Sequence, residues 1–295
     1  MPENLSIDLL HTILEAYALR VRIYATPRMC GQWQGVHPSA YQASFHLVGE
    51  GNCWLHMRHL DKPIPLSGGD LVLLPRDDWH ILSSESKPMG EDMVPGGVSG
   101  PVTAMLCGEI RFEQQTSNPI LDAMPQLVVM RHDESNGAVD LIARLLSMEA
   151  GQAELGNVLV LNRLSEALFV MILRYYLKTA DNKQGLLAAL ADPRLTKALM
   201  AIHRSPEERW QVGSLAKVAG MSRTVFAQRF AEVLGQTPIE YLTIWRMQLA
   251  QQWLRERREP VGVVAKKLGY ETETAFRRAF QRITGMTPGR LRRQA

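Results

Sequence analysis

The 295-residue sequence predicts a multidomain α+β protein: an all-β unit, then two helices, then an all-α domain. Three observations predict it. Up to about Phe112, Gly and Pro punctuate short apolar runs; from about residue 137, apolar residues recur every three or four positions; and charge divides unevenly along the chain. From Leu190 to Ala295 there are 19 Lys and Arg against 9 Asp and Glu, a balance of +10, while the other 189 residues hold 14 basic and 21 acidic side chains. That asymmetry points to a polyanion partner at the C-terminal end, with a merely solvated basic helix face as the plainer reading.

The β unit rests on the runs Ser44–Val48, Cys53–Met57, Asp70–Pro75 and Val102–Cys107, separated by turn residues such as Gly49-Glu50-Gly51-Asn52 and Ser67-Gly68-Gly69-Asp70. Pro88 to Pro101, with four glycines, reads as a long loop. The helices are expected at roughly 137–150 and 156–179, from Val139, Ile142, Leu145 and Leu146 and then Leu161, Leu164, Leu168, Ile172 and Tyr175. Leu168-Phe169-Val170-Met171-Ile172 exceeds what one stripe can bury, so the second helix is expected to cover a further face on another subunit. Asp181-Asn182-Lys183-Gln184-Gly185 reads as a polar linker, which divides the chain into domains at 1–185 and 190–295.

Other classes are excluded by composition. The most apolar run, Ala167–Leu173, is far short of the ~20 residues that span a bilayer, so no membrane partner is expected. Met1-Pro2-Glu3-Asn4 carries no positive region ahead of apolar residues, and three cysteines do not make a disulfide scaffold. The cytoplasm is the expected compartment.

The C-terminal domain contains a repeat. Leu215-Ala216-Lys217-Val218-Ala219-Gly220 is echoed by Val264-Ala265-Lys266-Lys267-Leu268-Gly269 at an offset of 49, and Phe230 and Gly235-Gln236-Thr237-Pro238 by Phe280 and Gly285-Met286-Thr287-Pro288 at an offset of 50. One extra residue therefore enters the second turn. Ala216 and Ala265 let a neighbouring helix approach, Gly220 and Gly269 supply the positive φ that ends a helix, and Ser222 can cap the next one. The unit is a helix-turn-helix, expected at about 212–233 and again at about 261–283. Thr237-Pro238-Ile239-Glu240 opens a long helix joining the two copies. A single Ala-x-x-x-Gly turn arises by chance in helical proteins. Two in register within the +10 segment point to nucleic acid.

Residues 193–293 resemble the AraC-type DNA-binding domain, most specifically along Ala265-x-x-Leu268-Gly269-Tyr270, Phe276, Phe280, Gly285, Pro288 and Arg292. The resemblance implies seven helices, with two recognition helices entering successive major grooves of double-stranded promoter DNA. Periodicity points Val225, Phe226, Phe230 and Val233 inward in the first, and Ala275, Phe276, Ala279, Phe280 and Ile283 in the second. The family match places Thr224, Ala227 and Gln228, then Glu273, Thr274, Arg277 and Arg278, at base edges. Either arginine suits guanine and Gln228 suits adenine. Arg223 is expected on phosphate, and Arg257, Arg258, Arg290, Arg292 and Arg293 in general backbone electrostatics.

The β unit (about 1–112) resembles the cupin-type sensor of one branch of AraC-family regulators, through Phe45-His46-Leu47-Val48, Cys53-Trp54-Leu55, Gly69 to Pro75, His80 and Cys107-Gly108. A cupin-like β-barrel with dimerisation helices (about 137–179) is implied. Metal-binding cupins carry His-x-His; here position 44 is Ser and position 48 is Val, so only His46 and His80 fall near ligand positions and no metal or other cofactor is expected. His56 and His59 read as surface or core features, and Cys53 as a small hydrophobe. Oxidant-responsive members of the branch, such as sensors of reactive chlorine, use two cysteines at places matched here by Cys30, ahead of Trp33, and Cys107, ahead of Gly108. Redox sensing, a small ligand and no effector all remain open from these residues.

The expectation is a homodimeric, sequence-specific, DNA-binding transcription regulator without catalytic residues, an activator that contacts RNA polymerase. A metal-dependent cupin enzyme fused to a DNA reader is the rival class, and the missing His-x-His counts against it. An RNA adaptor would need a stacking platform or Gly-rich clamp, which the chain lacks.

Overall fold

A computed structural model describes residues 3–40, 42–90, 92–112, 118–134, 137–152, 154–181, 184–256 and 258–294. Arg257 thus lies outside the described residues. The chain forms two units, one spanning Leu19–Lys183 and the other combining Gln184–Ala295 with the residues up to Ala18.

The first unit holds ten strands among the described residues: β1 (Arg20–Ala25), β2 (Arg28–Cys30), β3 (Gln34–His37), β4 (Ala43–Glu50), β5 (Asn52–Met57), β6 (Ile64–Ser67), β7 (Leu71–Leu74), β8 (His80–Ser83), β9 (Val102–Arg111) and β10 (Val128–Met130). They make two antiparallel sheets. One runs β1-β9-β4-β7-β10 with β2 also on β9, and the other runs β3-β8-β5-β6. The predicted cupin-like barrel is thus a jelly roll of two sheets rather than a closed ring. Val48, Val72, Leu74, Met105 and Cys107 of the larger sheet, Cys53, Leu55 and Leu82 of the smaller one, and Trp33 just ahead of β3 share one buried core.

The alternate residues of the larger sheet face the other way. Gly108 sits opposite Phe45 in the β4–β9 register. A Cβ on Gly108 would come within 2.2 Å of the Phe45 ring, so only glycine lets that ring cross the strand. Because the larger sheet is covered on both faces, all four residues of β7 are buried, which explains an unbroken apolar run where a half-exposed strand would alternate. The short α2 (Pro119–Asp122) lies between β9 and β10, and α3 (Ala138–Ala150) and α4 (Asn157–Thr179) follow the sheet close to their expected bounds. Phe169 of α4 meets Phe112 edge-to-face, at a centroid distance of 6.2 Å.

The second unit is helical: α1 (Glu3–Ala16), α5 (Gly185–Ala191), α6 (Pro193–Arg204), α7 (Val212–Val218), α8 (Arg223–Leu234), α9 (Pro238–Glu256), α10 (Val261–Lys267), α11 (Glu273–Thr284) and α12 (Pro288–Gln294). The seven from α6 onward are those the resemblance implied. The N-terminal segment, expected with the β unit, packs instead on the C-terminal helices through α1 and the residues up to Ala18. Leu9, Leu10, Ile13 and Leu14 are buried, the Tyr17 ring lies tilted 6.5 Å from that of Trp245, and Gln248 Nε2 donates to the Ala16 carbonyl at 3.2 Å. The smaller differences are β10, which extends the sheet past Phe112, and α5, which begins at the Gly185 read as linker. Among the described residues, no helix is long and apolar enough to cross a membrane.

Candidate nucleic-acid interface

Each helix-turn-helix is shaped by its own backbone bonds. At the end of α7, Met221 N donates to Ala216 O and Gly220 N to Lys217 O, with Gly220 at φ +66°. At the end of α10, Tyr270 N donates to Ala265 O and Gly269 N to Lys266 O, with Gly269 at φ +75°. These are the paired bonds of the left-handed glycine terminator, present in both copies. Ser222 Oγ then accepts from Val225 N at 3.4 Å, and Thr272 Oγ1 accepts from Ala275 N at 3.2 Å, so each recognition helix starts from a side-chain cap. The extra residue of the second turn lies between Gly269 and that cap. Between the copies, Glu240 accepts from Thr237 N at 2.9 Å and starts the 19-residue α9, about 28 Å of helix.

The buried side of α8 is Phe226 and Phe230, and that of α11 is Phe276 and Phe280, all fully buried. Opposite them, Arg223, Thr224 and Gln228 on one helix and Glu273, Thr274, Arg277 and Arg278 on the other are exposed, with Ala227 half-buried. Val225 and Ala275, expected inward, are on the exposed side, Val225 at 53% exposure. At about 100° per residue, the position before the first phenylalanine lies some 120° from the centre of the buried stripe. Some of these exposed side chains have partners within the unit: Gln228 Nε2 donates to Glu232 Oε1 at 2.9 Å, and Arg277 Nε to Glu273 Oε1 at 2.7 Å. Not every arginine belongs to this face, since Arg246 donates to the carbonyls of Pro206 and Glu208 and so ties down a loop.

In the sheet unit, Cys30 pairs with Val102 and Ala25 with Cys107 along the same strand, β9. Five residues of extended chain set the two cysteines about 16 Å apart, against the 4.4–6.8 Å between Cα atoms that a disulfide spans. Cys107 is 1% exposed, and burial, reinforced by Cys53, pushes its thiol up to about 12. Burial does the same to Cys53, with Asp70 adding to it, again to about 12. Both are inert core thiols in this fold. Cys30, half-buried, is the accessible one.

His46 and His80 come from opposite sheets, yet their Nε2 atoms lie 2.8 Å apart. A third imidazole joins them: His37 ends β3 as the register partner of His80, and its ring stacks on that of His80 at 4.8 Å. The sequence reading missed His37 because it placed no strand at 34–37. Desolvation, with the neighbouring imidazoles adding to it, holds His46 well below the ordinary range and brings His37 to about 4, so these rings are neutral near pH 7. His56 instead is a structural hydrogen-bonding residue, 2.9 Å from Ser83 Oγ, and His59 is exposed.

Residues 8–178 match a family model described as Cupin, and residues 215–294 match one described as a helix-turn-helix domain. The chain is 32% identical to a Streptomyces antibioticus protein described as an AraC-like transcription regulator, over 97% of this chain and 99% of that one. A Streptomyces lividans protein of the same description is 31% identical over 97% and 98%. The RCS-specific HTH-type transcriptional activator RclR of Escherichia coli K12 is 30% identical over 84% of this chain and 83% of its own. With a cupin domain ahead of two capped helix-turn-helix units, this chain belongs to the AraC-like family of DNA-binding transcription regulators.

Proposed function

We propose that this regulator reads double-stranded promoter DNA through the outward faces of α8 and α11. The observation that carries this reading is the duplicated geometry: the same glycine terminator and a hydroxyl side-chain cap start both helices, within one compact unit. Thr224, Ala227 and Gln228 face one stretch of base edges, and Glu273, Thr274, Arg277 and Arg278 the other, with Arg223 on phosphate. Val225 and Ala275 join them as apolar groups suited to a thymine methyl. Footprinting on the DNA flanking its own gene, followed by binding to duplexes altered one base pair at a time, tests the assignment. Protection of a single turn only, or none, would refute it.

The regulator acts as a homodimer in this reading, through the cupin domain, where Leu141, Met148, Val158 and Leu159 of α3 and α4 are exposed apolar side chains. It functions in the cytoplasm as an activator that touches RNA polymerase, and performs no catalysis. The signal enters at the cupin domain. RclR is named for reactive chlorine species, and oxidation is the corresponding reading here. Accessibility then makes Cys30 the first thiol to react, with Cys107 engaged only after the sheets open. A small ligand entering the cupin domain is the second reading, favoured by the three clustered imidazoles.

A further inference from the structure

We propose that His37, His46 and His80 form a binding site for a divalent transition metal of the zinc class between the two sheets of the cupin domain. This goes beyond the DNA-binding reading and does not depend on it.

The three side chains each offer one nitrogen, and these atoms all lie within 4.8 Å of one another. Zinc–imidazole bonds of about 2.0–2.1 Å in a tetrahedron set ligand nitrogens about 3.3 Å apart. The 2.8 Å between His46 Nε2 and His80 Nε2 therefore needs to open by about half an ångström, which small ring rotations supply. His80 is already oriented for the task. Its Nδ1 lies 2.8 Å from the Asp78 carbonyl, which can only accept, so Nδ1 carries the proton and Nε2 presents its lone pair to the cluster.

A purely structural role does not explain why three polar rings fill this space. His46 is fully buried, and its Nε2 faces another imidazole nitrogen rather than a backbone or carboxylate group. Asp78 Oδ2, two residues before His80, is a buried oxygen without a partner, and its carboxylate is a negative charge near the His80 ring. Three apolar side chains would fill the space without burying polar groups. The donor set is three neutral imidazoles and no carboxylate or thiolate. It suits zinc and its neighbours rather than calcium or magnesium, and leaves a fourth position for water or a small ligand. His37, only half-buried, marks the side from which an ion enters. None of this uses the His-x-His pattern, because the ligands sit on three strands, β3, β4 and β8.

The test uses the full-length protein, stripped with a chelator and titrated with Zn²⁺ against a chromophoric competitor. One equivalent is expected to bind and to raise the melting temperature, and Co²⁺ in its place should give the visible bands of a four-coordinate nitrogen site. His37→Gln and His80→Gln should each weaken Zn²⁺ binding by more than the 10–100-fold that loss of an outer partner costs, with circular dichroism checking that the fold is kept. Cys107→Ser should bind Zn²⁺ as the natural chain does. No stoichiometric uptake, unchanged affinity in folded His37→Gln, or loss of binding in Cys107→Ser would each overturn the site.

Discussion

On the outward face of α11, the Arg277 guanidinium is held by the carboxylate of Glu273 one turn earlier, Nε to Oε1 at 2.7 Å. Gln228 is held in the same way by Glu232 on α8. An exposed pair of this spacing is worth about 0.3–0.5 kcal/mol, whereas a bidentate base contact discriminates by about 1–3 kcal/mol, so DNA outcompetes the carboxylate. Arg277→Ala should therefore weaken binding to the preferred promoter by roughly 5–150-fold and relax preference at one base pair. Glu273→Gln removes a negative charge from this face and should tighten binding to duplexes that offer Glu273 no base contact. Fluorescence anisotropy at fixed salt, across singly substituted duplexes, reads both. Unchanged sequence preference in Arg277→Ala would contradict the assigned face.

The two turn glycines are not equivalent. Around a Cβ on Gly220 there is nothing within 4 Å, while one on Gly269 would lie 2.0 Å from the Glu207 carbonyl. Gly220→Ala should cost about 1–2 kcal/mol, the price of the left-handed backbone alone. Gly269→Ala should cost clearly more, because the second turn must also move. Denaturant unfolding of the two variants checks the order, and equal losses would show that the close approach relaxes freely.

His203 is fully enclosed, with Nε2 2.8 Å from the Tyr241 hydroxyl and its ring 3.9 Å from that of Trp245. Burial lowers it from 6.5 to about 3. In the unfolded chain the ring takes up a proton below about 6.5 that the folded chain refuses until about 3, so stability falls as pH drops through that window. The loss amounts to several kcal/mol at most. His203→Gln keeps a hydrogen-bonding group but cannot titrate. Its unfolding free energy should change less between pH 7 and pH 4 than that of the natural chain, while identical pH slopes would dismiss His203 as the cause.

Thiol accessibility differs sharply between the expected pair. Iodoacetamide at neutral pH should label Cys30 first and leave Cys53 and Cys107 protected until denaturant is added, as peptide mass spectrometry would record. Peptide mapping after mild hypochlorite should find no Cys30–Cys107 bond within a natively folded chain. Finding that bond would mean β2 leaves β9 on oxidation.

Periodicity and turn chemistry carried far in this chain. The glycine terminators, the Ser222 cap, the Thr237–Glu240 start of α9 and the bounds of α3 and α4 are short-range features, set by residues within a few positions of one another, and all were readable from the linear pattern. The outward set on the recognition helices followed from the phenylalanine spacing, except at Val225 and Ala275. The periodic reading counted them with the buried stripe, but at about 100° per residue helix geometry turns them away from the Phe226–Phe230 and Phe276–Phe280 stripes.

Long-range contacts left no such trace. His37 meets His46 and His80 only because two sheets close on each other, and a strand as short as β3 shows no alternation to announce it. Gly108 matters for the Phe45 ring on a neighbouring strand rather than for its own turn. Helix α1 buries Leu9, Ile13 and Leu14 against a domain that begins more than 160 residues later. Local propensity acts through the few bonds between neighbours, whereas these pairings depend on which distant surfaces exclude water together.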